Sequence, residues 1–367
     1  MNFMKFHRKR FEDIDLNDPI FNSLKEDYSG SAIGIGFEEW FYKKAKEGRY
    51  ALVLEDNEGL GAFVSIKTEN EPLRLKTGDL PSQSRLKICT FCLAERYRGQ
   101  RMGEGAIGTI LWKWQRSRLQ EVYVTVFQKQ KLLISLFTRF GFQLVGYNEN
   151  NEQVYMRSRK NIDYSNPYKS FPFINPHFTC AGYVLIDDGY HDTLFPHSEL
   201  KNTTRDCLIK NVSNGLTKCY IGSQWMPPPY QIGDPVFIYR KYNGSGLKLY
   251  KSCLTTYCVV TDIIWVKKNW KYHMSLEGFL SKIANKTVFD REEIEDRYNR
   301  DRNIIIINML YYGFFGAGKN ITCKWLIDNK LWPSKGDLYP AMKKLSRNEF
   351  AQILQKGQIN VDDIIVD

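Results

Sequence analysis

No apolar run in the 367-residue sequence approaches the ~18 residues that would span a bilayer, so neither a membrane-embedded protein nor a membrane partner is expected. The basic residues 1–10 lack the apolar stretch of a secretory signal. Histidine is scarce, and the five present, at 7, 177, 191, 197 and 273, do not group as metal ligands. Eight cysteines lie at 89, 92, 180, 207, 219, 253, 258 and 323, with a single C-x-x-C at Cys89 and Cys92 and no second pair at zinc-finger spacing. That pair falls in a strand-like run, residues 86–93, where residues three apart point to opposite faces. Buried free thiols in a reducing compartment, without a metal, are the expectation. Neither an internal repeat nor a low-complexity tract is visible. A cytoplasmic, soluble protein is expected.

Apolar residues make up 43% of the chain and aromatics 14%, enough for packed cores. The length suggests two domains. A net charge of +11 favours anionic partners such as nucleic acid, phosphorylated cofactors or membrane surfaces, without deciding among them.

Along the first part, residues 37–48 read as an amphipathic helix ended by a glycine. Strands are expected at 49–54, 61–66, 85–93, 122–127, 142–147 and 153–156, and helices at 103–119 and 129–140. Residues 161–176 hold three prolines and read as a linker between domains 1–160 and 177–367. Beyond it short strands dominate, at 181–186, 217–221, 235–240, 258–266 and 303–310. Helices follow at 275–283, 291–298 and 345–354.

The stretch Leu93-Ala-Glu-Arg-Tyr-Arg-Gly-Gln-Arg-Met-Gly-Glu-Gly-Ala106 takes a strand through a glycine-bearing loop into a helix. Unpaired N–H groups at a helix N-terminus attract phosphate. Glycines at 99, 103 and 105 let the backbone come close, and Arg98 and Arg101 add positive charge. Taken alone, the loop reads equally as an ordinary glycine turn. A strand, Glu121-Val-Tyr-Val-Thr-Val-Phe127, and a helical stripe of Leu132, Leu133, Leu136, Phe137 and Phe140 follow it, ending at Gly141 and Phe142.

This order resembles the GCN5-related N-acetyltransferase (GNAT) family. Arg98-Gly-Gln-Arg-Met-Gly103 is similar to that family's R-G-x-G-x-G, and Leu136-Phe-Thr-Arg-Phe-Gly-Phe142 to its L-Y-E-K-L-G-F. The resemblance covers about residues 11–158. It implies a mixed sheet flanked by helices, with acetyl-CoA lying where two strands splay apart. Backbone at Phe91, Cys92 and Leu93 would pair with the pantetheine arm. Amides of Arg98, Gly99, Gln100, Arg101, Met102 and Gly103, with Glu104 and Gly105 completing the loop, would hold the pyrophosphate. Gln130 and Phe137 complete the expected cofactor contacts. An amine would attack the thioester directly. Two departures stand out: Phe137 occupies the place of a proton-donating tyrosine, and Gln130 replaces a frequent asparagine. Glu95, Tyr97 and Tyr123 remain as candidates for proton transfer, none of them singled out.

In the second part, Gln231-Ile-Gly-Asp-Pro-Val-Phe-Ile-Tyr239 resembles a step of PUA-like and ASCH-like domains, implying a small β-barrel with helical embellishment and an α+β protein throughout. Such domains often bind RNA. Tyr239, Arg240, Lys241 and Tyr242 mix aromatic and basic character as a nucleic-acid surface would, and Lys267-Lys-Asn-Trp-Lys271 is a second such patch. The alternative places half of these aromatics in the core. Gly313-Phe-Phe-Gly-Ala-Gly-Lys-Asn320 nearly spells a P-loop, but Asn320 stands where the hydroxyl residue belongs, so a turn is expected. The leading reading of function is acetylation of an RNA-linked amine such as aminoacyl-tRNA, a toxin-like activity with a cognate antitoxin as a partner. The others are acetylation of a protein or small-molecule amine, and a nucleic-acid-binding regulator that senses acetyl-CoA.

Overall fold

The structure is a computed structural model that describes residues 6–29, 35–201, 212, 214–333 and 338–366. The chain divides into two units, Met1–Asp163 and Tyr164–Asp367.

The first unit is one mixed sheet of β1 (His7–Arg10), β2 (Tyr50–Asp56), β3 (Gly59–Glu69), β4 (Arg85–Leu93), β5 (Glu121–Val126), β6 (Gln143–Tyr147) and β7 (Gln153–Ser158). Their order is β1-β2-β3-β4-β5-β7-β6. Only β4 and β5 run parallel. Helices α1 (Asn22–Asp27), α2 (Phe37–Lys46), α3 (Met102–Ser117) and α4 (Lys131–Arg139) flank it. Phe11, Phe21, Phe37, Phe41 and Phe63 form an aromatic core under α2. Helix α3 forms because Ile107, Ile110, Leu111 and Trp114 recur at helical spacing, and all four are fully buried. Each contributes about 1.5–3 kcal/mol through burial. Arg159 donates to the carbonyls of Trp114 and Gln115, placing a cation at the negative end of α3.

The second unit contains α5 (Pro167–Ser170), β8 (Gly182–Asp187), α6 (Asp188–Leu194), β9 (Thr217–Gly222), β10 (Pro235–Lys241), α7 (Lys248–Lys251), β11 (Cys253–Lys268), β12 (Lys271–Tyr272), α8 (Leu276–Ile283), α9 (Arg291–Arg300), β13 (Ile304–Phe314), β14 (Ile321–Thr322), α10 (Cys323–Asp328) and α11 (Arg347–Lys356). The strand order is β8-β10-β11-β13-β9, with β12 and β14 added to β11. The expected barrel is instead an open, curled sheet. Register shifts at Tyr257/Cys258, Val260/Asp262 and Trp265/Lys267 bend the long β11 against β13.

The segment expected to be a linker, 161–176, holds α5 and buries Phe171, Phe173 and Ile174 completely. Ile174 also bridges to Ile365. The P-loop-like run ends β13 and turns back to β14 through Gly316 and Gly318, both at positive φ, with the Lys319 N–H donating to the Gly316 carbonyl. Seven cysteines are free thiols; Cys207 lies outside the described residues.

Candidate active site

Strands β4 and β5 start as neighbours and then part. Their register runs from Arg85↔Glu121 to Ile88↔Val124 and stops. Beyond it β4 stays with β3, up to Leu93↔Ala62, while β5 stays with β7, up to Val126↔Gln153. The two partners pull the strands into a V. Residues 89–93 of β4 thereby turn one backbone edge toward the gap, where an extended ligand can pair with it.

From β4 the chain enters α3 through two left-handed residues, Gly99 (φ 73°) and Arg101 (φ 61°). Among the described residues, no acceptor meets the N–H groups of Met102 and Gly103, so the first turn of α3 presents donors to an anion. A Cβ on Gly103 would lie 3.1 Å from Leu136 Cδ2 and 3.5 Å from Leu93 Cδ1. Glycine thus lets α3, α4 and β4 converge. The buried Glu104 carboxylate in this turn would repel a phosphate, but Arg101 (3.1 Å) and Arg139 (2.9 Å) offset it.

At the open end of the V lies a cluster that the sequence did not reveal. The Tyr28 ring packs against Phe127, just past β5, with centroids 5.3 Å apart. Its hydroxyl donates to Glu152 Oε1 (2.6 Å), and Asn148 Nδ2 donates to Oε2 (2.7 Å). Burial, then the Glu152 charge, pushes the Tyr28 phenol far above its ordinary value. Asp27 accepts from Lys129 and Gln130. Burial, with help from Asp27, pushes the Cys92 thiol up to about 12. Cys92 is therefore a neutral thiol at physiological pH and a poor nucleophile.

Residues 14–142 match the sequence profile of the acetyltransferase (GNAT) family. The first unit carries a GNAT acetyltransferase domain. No curated protein matches the chain. Among solved structures, it is similar to a GNAT-family acetyltransferase from Streptococcus agalactiae, at 12% identity and TM-score 0.30, covering 43% of this chain and 100% of that one. It is also similar to Arabidopsis thaliana NAA60 in complex with a bisubstrate analogue, at 16% identity and TM-score 0.30, covering 42% and 98%. A GNAT acetyltransferase from Streptococcus pneumoniae shares 18% identity at TM-score 0.31, covering 42% and 96%.

Within the GNAT domain the residues read from sequence separate into groups. Phe91, Cys92 and Leu93 lie on the open half of β4, and residues 98–105 form the loop and first turn of α3. Phe137 is fully buried, edge-on to Phe91 (5.6 Å) and Phe142 (5.0 Å). It packs the floor behind β4 and has no proton to give. Gln130 stands at the N-terminal boundary of α4, and its side-chain amide donates to Asp27 (3.1 Å) instead of capping the helix. Glu95 is exposed and paired with Arg98 (2.7 Å). Tyr97 is buried against Gly61 and donates to Asp56. Tyr123 is buried beside Leu73, Leu75, Val154 and Met156 and donates to Glu69. None of these three is brought to the mouth of the V with Tyr28 and Glu152.

In the second unit the expected nucleic-acid strip divides: Tyr239 and Arg240 are buried, whereas Lys241 is exposed and Tyr242 half-buried. Tyr239 is buried against Trp332 (4.5 Å). Arg240 is held by both Asp192 oxygens, at 2.8 Å each. Lys241 pairs with Asp187 (3.0 Å), and Tyr242 lies under the Lys251 ammonium (4.7 Å). The burial of Tyr239 and Arg240 is topological: β10 runs between β8 and β11, and its residues 235–240 are buried on both faces.

Proposed function

We propose that the protein transfers the acetyl group of acetyl-CoA to an amine by direct attack on the thioester. The observation that carries this reading is the parting of β4 and β5 next to the free amides of Met102 and Gly103. The edge of residues 89–93 would pair with the pantetheine amides and the α3 amides would hold the pyrophosphate, with residues 98–105, Gln130 and Phe137 shaping the site. The thioester supplies an electrophilic carbonyl carbon. As the N–C bond forms and the C–S bond breaks, the amine proton passes to the Tyr28 hydroxyl, which hands its own proton to Glu152. The thiolate departs unaided, since a thiol of pKa ≈ 8.5 is a competent leaving group. The neutral Cys92 thiol speaks against a covalent relay.

For the acceptor, the reading is an RNA-linked α-amine such as that of aminoacyl-tRNA. An α-amine of pKa ≈ 7.7–8.0 needs little help to lose its proton at neutral pH, and a chain of net charge +11 attracts RNA. Acetylation would block that amine for peptide-bond formation, a toxin-like outcome in the cytoplasm that an antitoxin partner would restrain. The second unit would serve as a PUA-like RNA-binding module.

Incubation with labelled acetyl-CoA and total cell extract tests the acceptor: label is expected in RNA and released by mild alkali. Label in protein or small molecules instead would reassign the acceptor. Calorimetry tests the cofactor site. Gly103→Ala needs only a small shift of Leu136 and should retain affinity. Gly103→Asp sets a carboxylate beside the free amides and should weaken acetyl-CoA by at least about tenfold, or 1.4 kcal/mol. Equal affinity in the two variants would remove the pyrophosphate assignment.

A further inference from the structure

The hairpin joining β11 to β12 turns through Asn269 (φ 49°) and Trp270 (φ 67°), two consecutive left-handed residues as a type I′ turn requires. Asparagine suits the first place and glycine the second; a bulky residue at positive φ is an outlier. A tryptophan nevertheless stands there, 57% exposed, with Tyr272 beside it 49% exposed. The buried Lys267 fixes both rings. Its ammonium lies 4.8 Å from the Trp270 centroid and 4.6 Å from that of Tyr272. It also donates to the last carbonyls of α9, Tyr298 (2.9 Å) and Asn299 (3.1 Å). The rings are thus held in place, not left to swing.

Cations surround this tip. Lys268 and Lys271 are cross-strand partners on the face opposite Lys267 and Tyr272, and the Lys268 ammonium lies 5.0 Å from the Trp265 ring centroid. The Arg302 carbonyl accepts the Trp270 N–H at 3.0 Å, so Arg302 emerges alongside. Among the described residues, no carboxylate lies within ion-pair distance of Lys268, Lys271 or Arg302. Other exposed arginines nearby are spent, Arg300 on Asp296 at 2.6 Å among them.

We propose that the β11–β12 tip is a binding site for single-stranded RNA, with a base stacking on Trp270 and phosphates meeting Lys268, Lys271 and Arg302. A flat, half-exposed ring suits an unstacked base, which a duplex does not offer. Cations without a carboxylate partner, Lys268 and Lys271 on the other face of the tip and Arg302 alongside, complement a phosphate chain that passes around it. A membrane surface fits less well: the exposed apolar area is two rings interrupted by Asn269 and Lys271, not a contiguous face. The choice of RNA over DNA rests on the acceptor reading above; the site itself does not.

The test uses the full chain without acetyl-CoA, a short fluorescein-labelled oligouridylate, and anisotropy over a range of salt. Trp270→Gly removes the ring and installs the residue the turn prefers, so the melting temperature should hold or rise. Affinity should fall by about tenfold at every salt concentration, as loss of one stacked base implies. Lys268→Glu with Lys271→Glu should weaken binding and flatten the salt slope by about one to two. Unchanged affinity in Trp270→Gly, tighter binding of oligothymidylate, or preference for phosphatidylserine vesicles would each overturn the assignment. Calorimetry of acetyl-CoA on the same samples reads the first unit separately, so either reading can fail while the other stands.

Discussion

The Tyr97 hydroxyl is committed to Asp56, which Arg96 also grips through two hydrogen bonds of 3.0 and 2.9 Å. Burial, then the Asp56 bond, pushes the phenol up to about 12. Unfolded, it would titrate near 10. The folded protein therefore keeps this proton where the unfolded chain loses it. The resulting stability is fully present below pH ~10 and is lost as pH rises toward ~12. Tyr97→Phe should flatten this alkaline fall in melting temperature while leaving the pH dependence of turnover near neutrality unchanged. Loss of a limb of the pH–rate profile in the variant would return Tyr97 to the chemistry. Arg240 teaches the same lesson about local reading. Its basic-aromatic neighbourhood suggests a ligand surface, yet its partner Asp192 lies 48 positions away in sequence and only the folded sheet brings them together.

At the scale of elements, β4 and α3 are legible because each carries an uninterrupted pattern: alternation over residues 85–93, a helical stripe over Ile107 to Trp114. The loop between them is legible from its glycines. The acceptor end is not. Helix α1 is six residues of mostly polar sequence with none buried, and Tyr28 meets Glu152 across 124 positions, a pairing no local pattern encodes. The two-sided burial of β10 likewise defeats alternation, since no face is left to be polar. The V itself makes a prediction. Amides of residues 89–93 that face away from β3 lack a strand partner and should exchange with solvent quickly. Added acetyl-CoA should slow exchange there and over residues 98–103, but not in the second unit. Protection spread evenly over both units would disprove a site in the V.

For the whole molecule, the boundary falls at Asp163/Tyr164, not after the proline-bearing segment. Phe171, Phe173 and Ile174 contribute about 1.5–3 kcal/mol each through burial, together comparable with the ~5–15 kcal/mol that stabilises a typical domain. A fragment 164–367 should therefore melt cooperatively, whereas 177–367 should be soluble poorly or melt without a clear transition. Equal melting of both fragments in calorimetry would show that the segment is dispensable. The gap between β4 and β5 also has a consequence for the protein's lifetime in the cell. A sheet with an unpaired inner edge is, until a ligand fills it, closer to opening than its neighbours, and whatever binds only the closed form adds stability in proportion to RT ln(1 + [L]/Kd). Acetyl-CoA would then be a guardian as well as a reactant: protease digestion should slow as it is added, and in starved cells the idle protein should be cleared first.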